Sequence, residues 1–107
     1  MNSRIKIYKI KTEAIHVLKE WGQEIMNDRL NEAVNSLIEE NCIFEEARLF
    51  QINHTYYVIG CMISKPNMDF MKGPNSEINI KHKSITQNAI IEEISTELIY
   101  KVFTNLD

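Results

Sequence analysis

His82 is the first of two candidate residues for acid–base chemistry beside the core. It follows Ile78 by four residues and precedes Ile85 by three, so the three side chains share one face of a predicted helix. A histidine there could act as a general acid or base, or contact a ligand in a cavity next to a sheet. The alternative is a histidine at the rim of the core that a single hydrogen bond satisfies, which is the commoner arrangement.

Glu45 is the second candidate catalytic residue. It is adjacent to Glu46 in a predicted strand, so the two side chains point to opposite faces, and Glu45 shares its face with apolar residues. Partial burial raises the pKa of a carboxyl group unless a cation pairs with it, and such a group could accept a proton in a cavity. The alternative is a structural ion pair with Arg29, Arg48 or a lysine.

Three further side chains are candidate ligand contacts. Tyr57 and Tyr100 lie in two predicted strands and could line a pocket with their hydroxyl groups, although aromatic residues in strands usually belong to the core. Arg29 is the third candidate, and its alternative role is an ion pair with Glu32, three residues further along a helix. The sequence has no Gly-rich phosphate loop, HExxH motif, nucleophile elbow or zinc pattern, so we expect no cofactor and no metal.

The composition excludes several classes of protein. A chain of 107 residues corresponds to one domain, 1–107, and 44% apolar residues are typical of a globular fold. Twelve Lys and Arg against fifteen Asp and Glu give a net charge of −3, so we expect no nucleic-acid partner. We also expect a cytoplasmic protein without a membrane span, because no long apolar run and no apolar signal core is present. Cys42 and Cys61 form neither a disulfide framework nor a CxxC motif.

The elements that must position these side chains follow from hydrophobic periodicity. Alternating apolar residues predict four strands, and a period of three to four residues predicts helices. A helix of 29 residues would be about 44 Å long, far longer than the sheet, so we predict a break where Asn27 and Asp28 disfavour helix. The predicted strands are 4–10, 43–50, 55–63 and 97–103, and the predicted helices are 12–40, with its break within 26–29, and 76–94.

Single residues mark the ends of these elements. Thr12 is the predicted N-cap of the first helix, and Ser76 that of the last. Asn41 is expected in the left-handed conformation after the first helix, and Asn53 in the hairpin turn between the second and third strands. The order β-α-β-β-α-β predicts an α+β, ferredoxin-like fold, with a four-stranded antiparallel sheet and both helices on one face.

The predicted strands are apolar on both faces, although the chain has helices for only one. Tyr56 and Val58 alternate with Tyr57 and Ile59 in the third strand, and the other strands show the same pattern. An exposed apolar sheet face would be larger than monomers usually leave open, so we expect a second copy to cover it in a homodimer. The alternative is that the long helix or the C-terminal segment folds over that face.

Four features of the sequence are similar to those of a known family. They are Trp21 in the first helix, the Asn-x-Arg-x-x-Glu-Ala segment at 27–33, Glu45 early in strand two, and the segment 78–82 that ends in His82. On these residues the chain, from about Ile5 to Leu106, resembles small bacterial proteins grouped as domain of unknown function 6176. The resemblance implies a one-domain ferredoxin-like fold related to dimeric α/β-barrel proteins, with an activity that is not assigned.

This sequence departs from the family pattern at two places. Asn79 stands where the family has Asp, and 66–76 interrupts what is a continuous helix in the family. Two hypotheses about function remain open. The chain binds or transforms a small molecule in a cavity beside the sheet, or it is a non-catalytic dimeric module for interaction or regulation. A cavity of ~300 Å³ or more lined by Glu45, a tyrosine and His82 would favour the first hypothesis, and a sheet face filled by apolar side chains would favour the second.

Overall fold

The computed structural model describes residues 2–104, and its elements follow the order β1, α1, α2, β2, β3, α3, β4. A 3₁₀ turn, Thr12–Ala14, connects β1 to α1. The strands are β1 (Ser3–Ile10), β2 (Cys42–Ile52), β3 (Thr55–Ser64) and β4 (Ile90–Ile94), and the helices are α1 (Ile15–Met26), α2 (Leu30–Glu39) and α3 (Glu77–Ala89). The first three predicted strands are therefore confirmed to within two residues at each end.

The predicted break in the long helix is confirmed between α1 and α2. The side-chain amide of Asn27 donates to the carbonyl oxygen of Gln23 at 2.8 Å, a local hydrogen bond that competes with continuation of the helix. The N-cap expected at Thr12 is wrong, because the chain enters α1 through the 3₁₀ turn and Ala14 occupies the N-cap position. No helix within residues 2–104 is both long and apolar enough to cross a membrane.

The four strands form one antiparallel sheet in the order β2-β3-β1-β4. Strand β1 pairs with β3 along its whole length, but with β4 only over Ile7–Ile10. The outer edge of β1 from Ser3 to Lys6 consequently has no strand neighbour among residues 2–104. The hairpin turn between β2 and β3 contains Asn53 at φ 56°, and Asn41 has φ 58° before β2, so both predicted left-handed residues are confirmed.

The helices pack on one side of the sheet, which we call the helix face, and the other side is the open face. The cross-strand pair Tyr8 and Val58 points to the helix face, whereas the next pair, Ile7 and Ile59, points to the open face. The described chain leaves the open face uncovered, and Ile5 on it remains 52% exposed. The structure is thus an α+β fold with a four-stranded antiparallel sheet and helices on one face.

The fourth strand lies earlier in the chain than the sequence analysis places it. The helix predicted for 76–94 ends at Ala89, and Ile90–Ile94 pairs with β1 instead. The segment contains three β-branched residues, Ile90, Ile91 and Ile94, which favour a strand. Its pairing with β1 stabilises the strand more than continuation of the helix would stabilise α3. The strand predicted for 97–103 is therefore wrong. Residues 95–104, which we call the tail, have no regular secondary structure.

The irregular segment 65–76, which we call the 65–76 loop, connects β3 to α3. Its backbone is attached to the end of α2 at two points. The amide of Met71 donates to the carbonyl oxygen of Glu40 at 3.0 Å, and that of Lys65 donates to the carbonyl oxygen of Asn41 at 2.8 Å. These bonds hold the loop beside the helix face.

The buried apolar core of the described chain is small. It consists of five residues, each at most 5% exposed, namely Ile10, Trp21, Cys42, Ile78 and Ala89. The accessible surface is 8074 Å², whereas a compact monomer of this mass has about 6,200 Å². The molecule is also flat, with extents of 45 × 35 × 20 Å. One copy therefore leaves much more surface in water than a protein of its size usually does.

Candidate functional site

A cavity of about 230 Å³ lies on the helix face, between the sheet and helices α1 and α3. It is smaller than the ~300 Å³ that the sequence analysis sets for a ligand site. Its walls are mostly apolar, and its polar groups come from β1, β2 and α3. The apolar side chains include Ile10, Leu18, Val58 and Met62, and the polar side chains include Tyr8, Glu45 and His82. The two candidate catalytic residues of the sequence analysis therefore line the same cavity.

His82 is held by a hydrogen bond from the only tryptophan of the chain. The indole Nε1–H of Trp21, a residue 4% exposed, donates to Nδ1 of His82 at 2.9 Å. Because the indole nitrogen can only donate, Nδ1 must be the acceptor and carries no proton. Neutral His82 thus has its proton on Nε2, which leaves an N–H group for a ligand.

The charge state of His82 follows from the same environment. Desolvation by the surrounding protein lowers the pKa of His82 below its usual range, although the residue as a whole is exposed in a single copy. The bond from Trp21 acts in the same direction, because a protonated Nδ1 could not accept it. His82 is accordingly neutral at pH 7, the form that can donate one proton and accept another.

Trp21 is itself fixed by its surroundings. The guanidinium carbon of Arg29 lies 5.8 Å from the centre of the indole ring, and Nζ of Lys81 lies 5.1 Å from it. Lys81 also pairs with Glu24 at 3.1 Å, which connects α3 to α1. These contacts hold the indole in place and thereby orient His82.

Glu45 lies on β2, beside Met62 of β3, and points to the helix face. Desolvation by the surrounding protein raises the pKa of its carboxyl group above the usual range. The residue is nevertheless accessible to solvent in a single copy, so a ligand in the cavity can reach it. None of the ion pairs found among residues 2–104 involves Glu45, and the expected structural pair with Arg29, Arg48 or a lysine is not formed.

A second carboxyl group, that of Glu40, lies close enough to Glu45 for the two charges to interact, but it does not line the cavity. Burial is the main cause that raises the pKa of Glu40, and the charge of Glu45 acts in the same direction. The hydroxyl of Ser36 lies 3.4 Å from Oε2 of Glu40 and donates to Oδ1 of Asn79 at 2.9 Å. Nδ2 of Asn79 donates to the carbonyl oxygen of Pro74 at 2.8 Å. Asn79 thus joins α3 to α2 and to the 65–76 loop.

The middle of the cavity floor is formed by Gly60, which has no side chain. A Cβ atom placed there would meet no other atom within 4 Å, so the cavity owes part of its volume to this residue. Its neighbours across the sheet are Lys6 and Ala47, which also line the cavity. Gly60 is a position where a larger residue would fill the cavity.

Tyr8 lines the cavity although the sequence analysis did not propose it as a site residue. The signal was present, because Tyr8 alternates with Ile7 and therefore shares the face of Ile10, a core residue. Arg4 and Lys6 continue the same row toward the cavity mouth. The alternation of basic and apolar residues in β1 is also typical of a solvent-exposed strand. The sequence alone therefore does not indicate that Arg4, Lys6 and Tyr8 line a cavity.

The three predicted ligand contacts lie away from the cavity. Tyr57 is on the open face, where its ring stacks on Phe50 with a centroid distance of 5.3 Å. Tyr100 is in the tail and is 79% exposed. Arg29 pairs with Glu32 at 2.7 Å, which is the alternative role that the sequence analysis allowed, and it reaches the site only through Trp21.

Comparison with known proteins gives one match. A family model described as "Family of unknown function (DUF6176)" matches residues 1–107. Neither a curated protein nor a solved structure matches the chain.

Proposed function

We propose, for a chain that belongs to the DUF6176 family of unknown function, that it binds or transforms a small molecule in the cavity of the helix face. The ligand is largely apolar and carries a hydroxyl or carbonyl group. One observation carries this proposal: His82 of α3 and Glu45 of β2, far apart in the sequence, line one cavity whose other walls are mostly apolar. A few polar groups in an apolar pocket are typical of sites for small molecules.

The two residues have complementary chemistry. Neutral His82 offers Nε2–H to an oxygen atom of the ligand, and its lowered pKa keeps it from holding a positive charge in the cavity. Glu45, whose pKa is raised, is closer to neutral pH as a proton acceptor than an ordinary carboxylate. Together they can move a proton to and from a bound molecule without a metal ion.

The protein acts as a homodimer in this proposal, with a ferredoxin-like arrangement in each copy and a barrel-like pairing of the two sheets. The element order and the antiparallel order β2-β3-β1-β4 support the split βαβ arrangement. The uncovered open face and the small core support the second copy. Free Cys42 and Cys61 are consistent with a reducing, cytoplasmic compartment.

The second candidate function is a non-catalytic module for interaction or regulation. The observation that favours it is the apolar tail, in which Leu98, Ile99 and Tyr100 are each at least 70% exposed. Such a segment is typical of a contact surface. The two functions differ in whether the cavity of the helix face is occupied.

The test uses two probes that differ only by a hydroxyl group, p-cresol and toluene, followed by NMR of the cavity methyl groups and by the fluorescence of Trp21. We expect both probes to shift the Val58 and Met62 resonances, and p-cresol to bind at least fivefold more tightly. His82→Ala and Glu45→Gln should remove this difference, whereas Glu92→Gln, a matched change on β4 outside the cavity lining, should leave it. Absence of any shift at millimolar probe would refute the proposal and favour the interaction module.

A further inference from the structure

The tail carries an apolar run that a single copy leaves in water. Leu98 is 70% exposed, Ile99 90%, Tyr100 79% and Val102 80%. Apolar side chains at such exposures are uncommon in consecutive positions of a folded monomer, because each is stabilised by removal from water. The tail is therefore an uncovered apolar surface in a single copy.

The open face of the sheet is the matching surface. It presents Ile5 and Phe44, exposed by 52% and 42%, around the half-buried residues Ile59, Cys61 and Ile63 of β3. Both surfaces are apolar, and the strand propensity of 97–103 suits a segment that lies extended on a sheet. Each copy thus has an uncovered apolar face and an uncovered apolar segment.

The tail does not cover the open face of its own copy. Lys101 lies beside Asn2, Arg4 and Phe70, which together line a shallow cleft at the start of β1. Arg4 points to the helix face, and its guanidinium carbon lies 4.8 Å from the centre of the Phe70 ring. At Lys101 the tail is therefore next to the start of β1 and the 65–76 loop, and its apolar side chains are not buried against its own open face.

The area available agrees with a stable dimer. The accessible surface exceeds that of a compact monomer by about 1,900 Å² per copy, from the scaling of surface with mass. A standard interface needs only about 800 Å² from each partner. Burial of less than half of the excess is therefore enough.

We propose that residues 97–103 of each copy lie across the open face of a second copy, in a reciprocal two-fold exchange. This inference rests on the homodimer of the proposed function and specifies which segments form its interface. The exchange does not depend on the cavity of the helix face. Binding of p-cresol therefore tests the proposed function separately from the exchange.

The native Cys61 provides a direct test, because it lies on the open face while Cys42 is buried. Two copies with different affinity tags, one carrying Ile99→Cys and the other the native tail, are mixed and mildly oxidised. We expect a disulfide between position 99 of one copy and Cys61 of the other, at least fivefold more abundant than with Lys19→Cys, an exposed control on α1. Peptide mass spectrometry identifies the linked residues, and Cys61→Ser in both copies should abolish the product.

A second measurement needs no oxidant. The double variant Ile99→Glu and Val102→Glu should weaken the dimer at least tenfold in analytical ultracentrifugation, whereas Lys101→Glu, a charge change on the same tail, should change it less than threefold. Circular dichroism checks that each variant is folded. A dimer that survives the double variant and gives no disulfide overturns the exchange but keeps the homodimer. A disulfide within one copy overturns the exchange, and a monomeric full chain overturns both the exchange and the homodimer.

Discussion

The indole nitrogen of Trp21 and Nδ1 of His82 are joined by a hydrogen bond of 2.9 Å that connects α1 to α3. Since the indole can only donate, this bond decides which nitrogen of the imidazole carries the proton. The other nitrogen, Nε2, carries the proton and has no hydrogen-bond partner among residues 2–104. The tryptophan thus contributes to the chemistry of the site through the histidine.

Replacement of Trp21 by Phe should raise the pKa of His82 toward its ordinary value. The ring is kept in part, but Nδ1 loses its donor and becomes free to take a proton. We expect a loss of about 1–2 kcal/mol in the free energy of unfolding, from the missing hydrogen bond and the smaller ring. NMR titration of the His82 ring measures the pKa, and His54 in the β2–β3 turn gives a reference resonance. An unchanged pKa would mean that burial alone lowers it.

The lowered pKa of His82 also predicts how stability depends on pH. The folded value lies below the unfolded value of about 6.5, so between the two the unfolded chain binds more protons. The free energy of unfolding should therefore decrease as the pH falls from 7 through that window. Urea unfolding of His82→Gln at several pH values should show a flatter dependence than the native protein, and an equal slope would contradict the assignment.

Replacement of Glu45 by Gln should stabilise the protein at pH 7 and have no effect at low pH. The folded pKa of Glu45 is raised, so the native state binds more protons in the window above the unfolded value of about 4.3, and stability falls as the pH rises through it. The gain should stay below about 1 kcal/mol, because Glu45 is accessible and solvent screens its charge. Urea midpoints at pH 7 and pH 4 measure it. Glu46→Gln is the control. Glu46 pairs with Arg48 at 2.9 Å, so removing its charge should not stabilise the protein at pH 7.

Replacement of Gly60 by Val should fill the cavity without disrupting the sheet. A Cβ atom meets nothing within 4 Å, and the backbone of Gly60 is not in the left-handed region, so a branched residue is tolerated. Binding of toluene and p-cresol should be lost, while the free energy of unfolding stays equal or rises by up to about 1 kcal/mol. Gly22→Ala in α1, where a Cβ is also unobstructed, is a control that should leave binding unchanged. Retained probe binding in Gly60→Val would place the probes elsewhere.

Replacement of Asn79 by Asp should destabilise this chain by about 1–3 kcal/mol. The carboxylate keeps the bond from Ser36 but cannot donate to the carbonyl oxygen of Pro74. It also brings a negative charge near Glu40, so the loss should be larger at pH 7 than at pH 4. Thermal unfolding at both pH values measures the difference. An equal loss of stability at pH 7 and pH 4 would mean that the added charge has no effect and that the missing hydrogen-bond donor accounts for the whole loss.

The parts of the fold that alternation and local signals determine were predicted from the sequence. Strands β1 to β3, the break after α1, and the left-handed Asn41 and Asn53 each depend on residues close together in the chain. The position of β4 depends on which of two apolar segments pairs with β1. The residues 90–94 and 97–103 have similar strand propensity, and the short path from α3 favours the first.

The sequence predicts the two candidate catalytic residues that line the cavity, His82 and Glu45. It does not predict that Tyr8 lines the cavity or that Trp21 bonds to His82. His82 and Glu45 each follow from the face of one element, which periodicity reveals. Tyr57 and Tyr100 have hydroxyl groups that suit a ligand site, but their positions depend on which sheet face the helices cover and on where the last strand lies. The bond from Trp21 to His82 joins residues 61 positions apart, and no local pattern indicates such a contact.

Helix α3 passes into β4 without an intervening residue, since Ala89 ends the helix and Ile90 begins the strand. His82 lies about two helical turns before this junction. A rotation of α3 about its axis that moved the imidazole would consequently change the pairing of Ile90 with Ile10 at the sheet edge. Because no residue lies between α3 and β4, the pairing of Ile90 with Ile10 anchors the end of the helix and limits how far the imidazole of His82 can turn in the cavity.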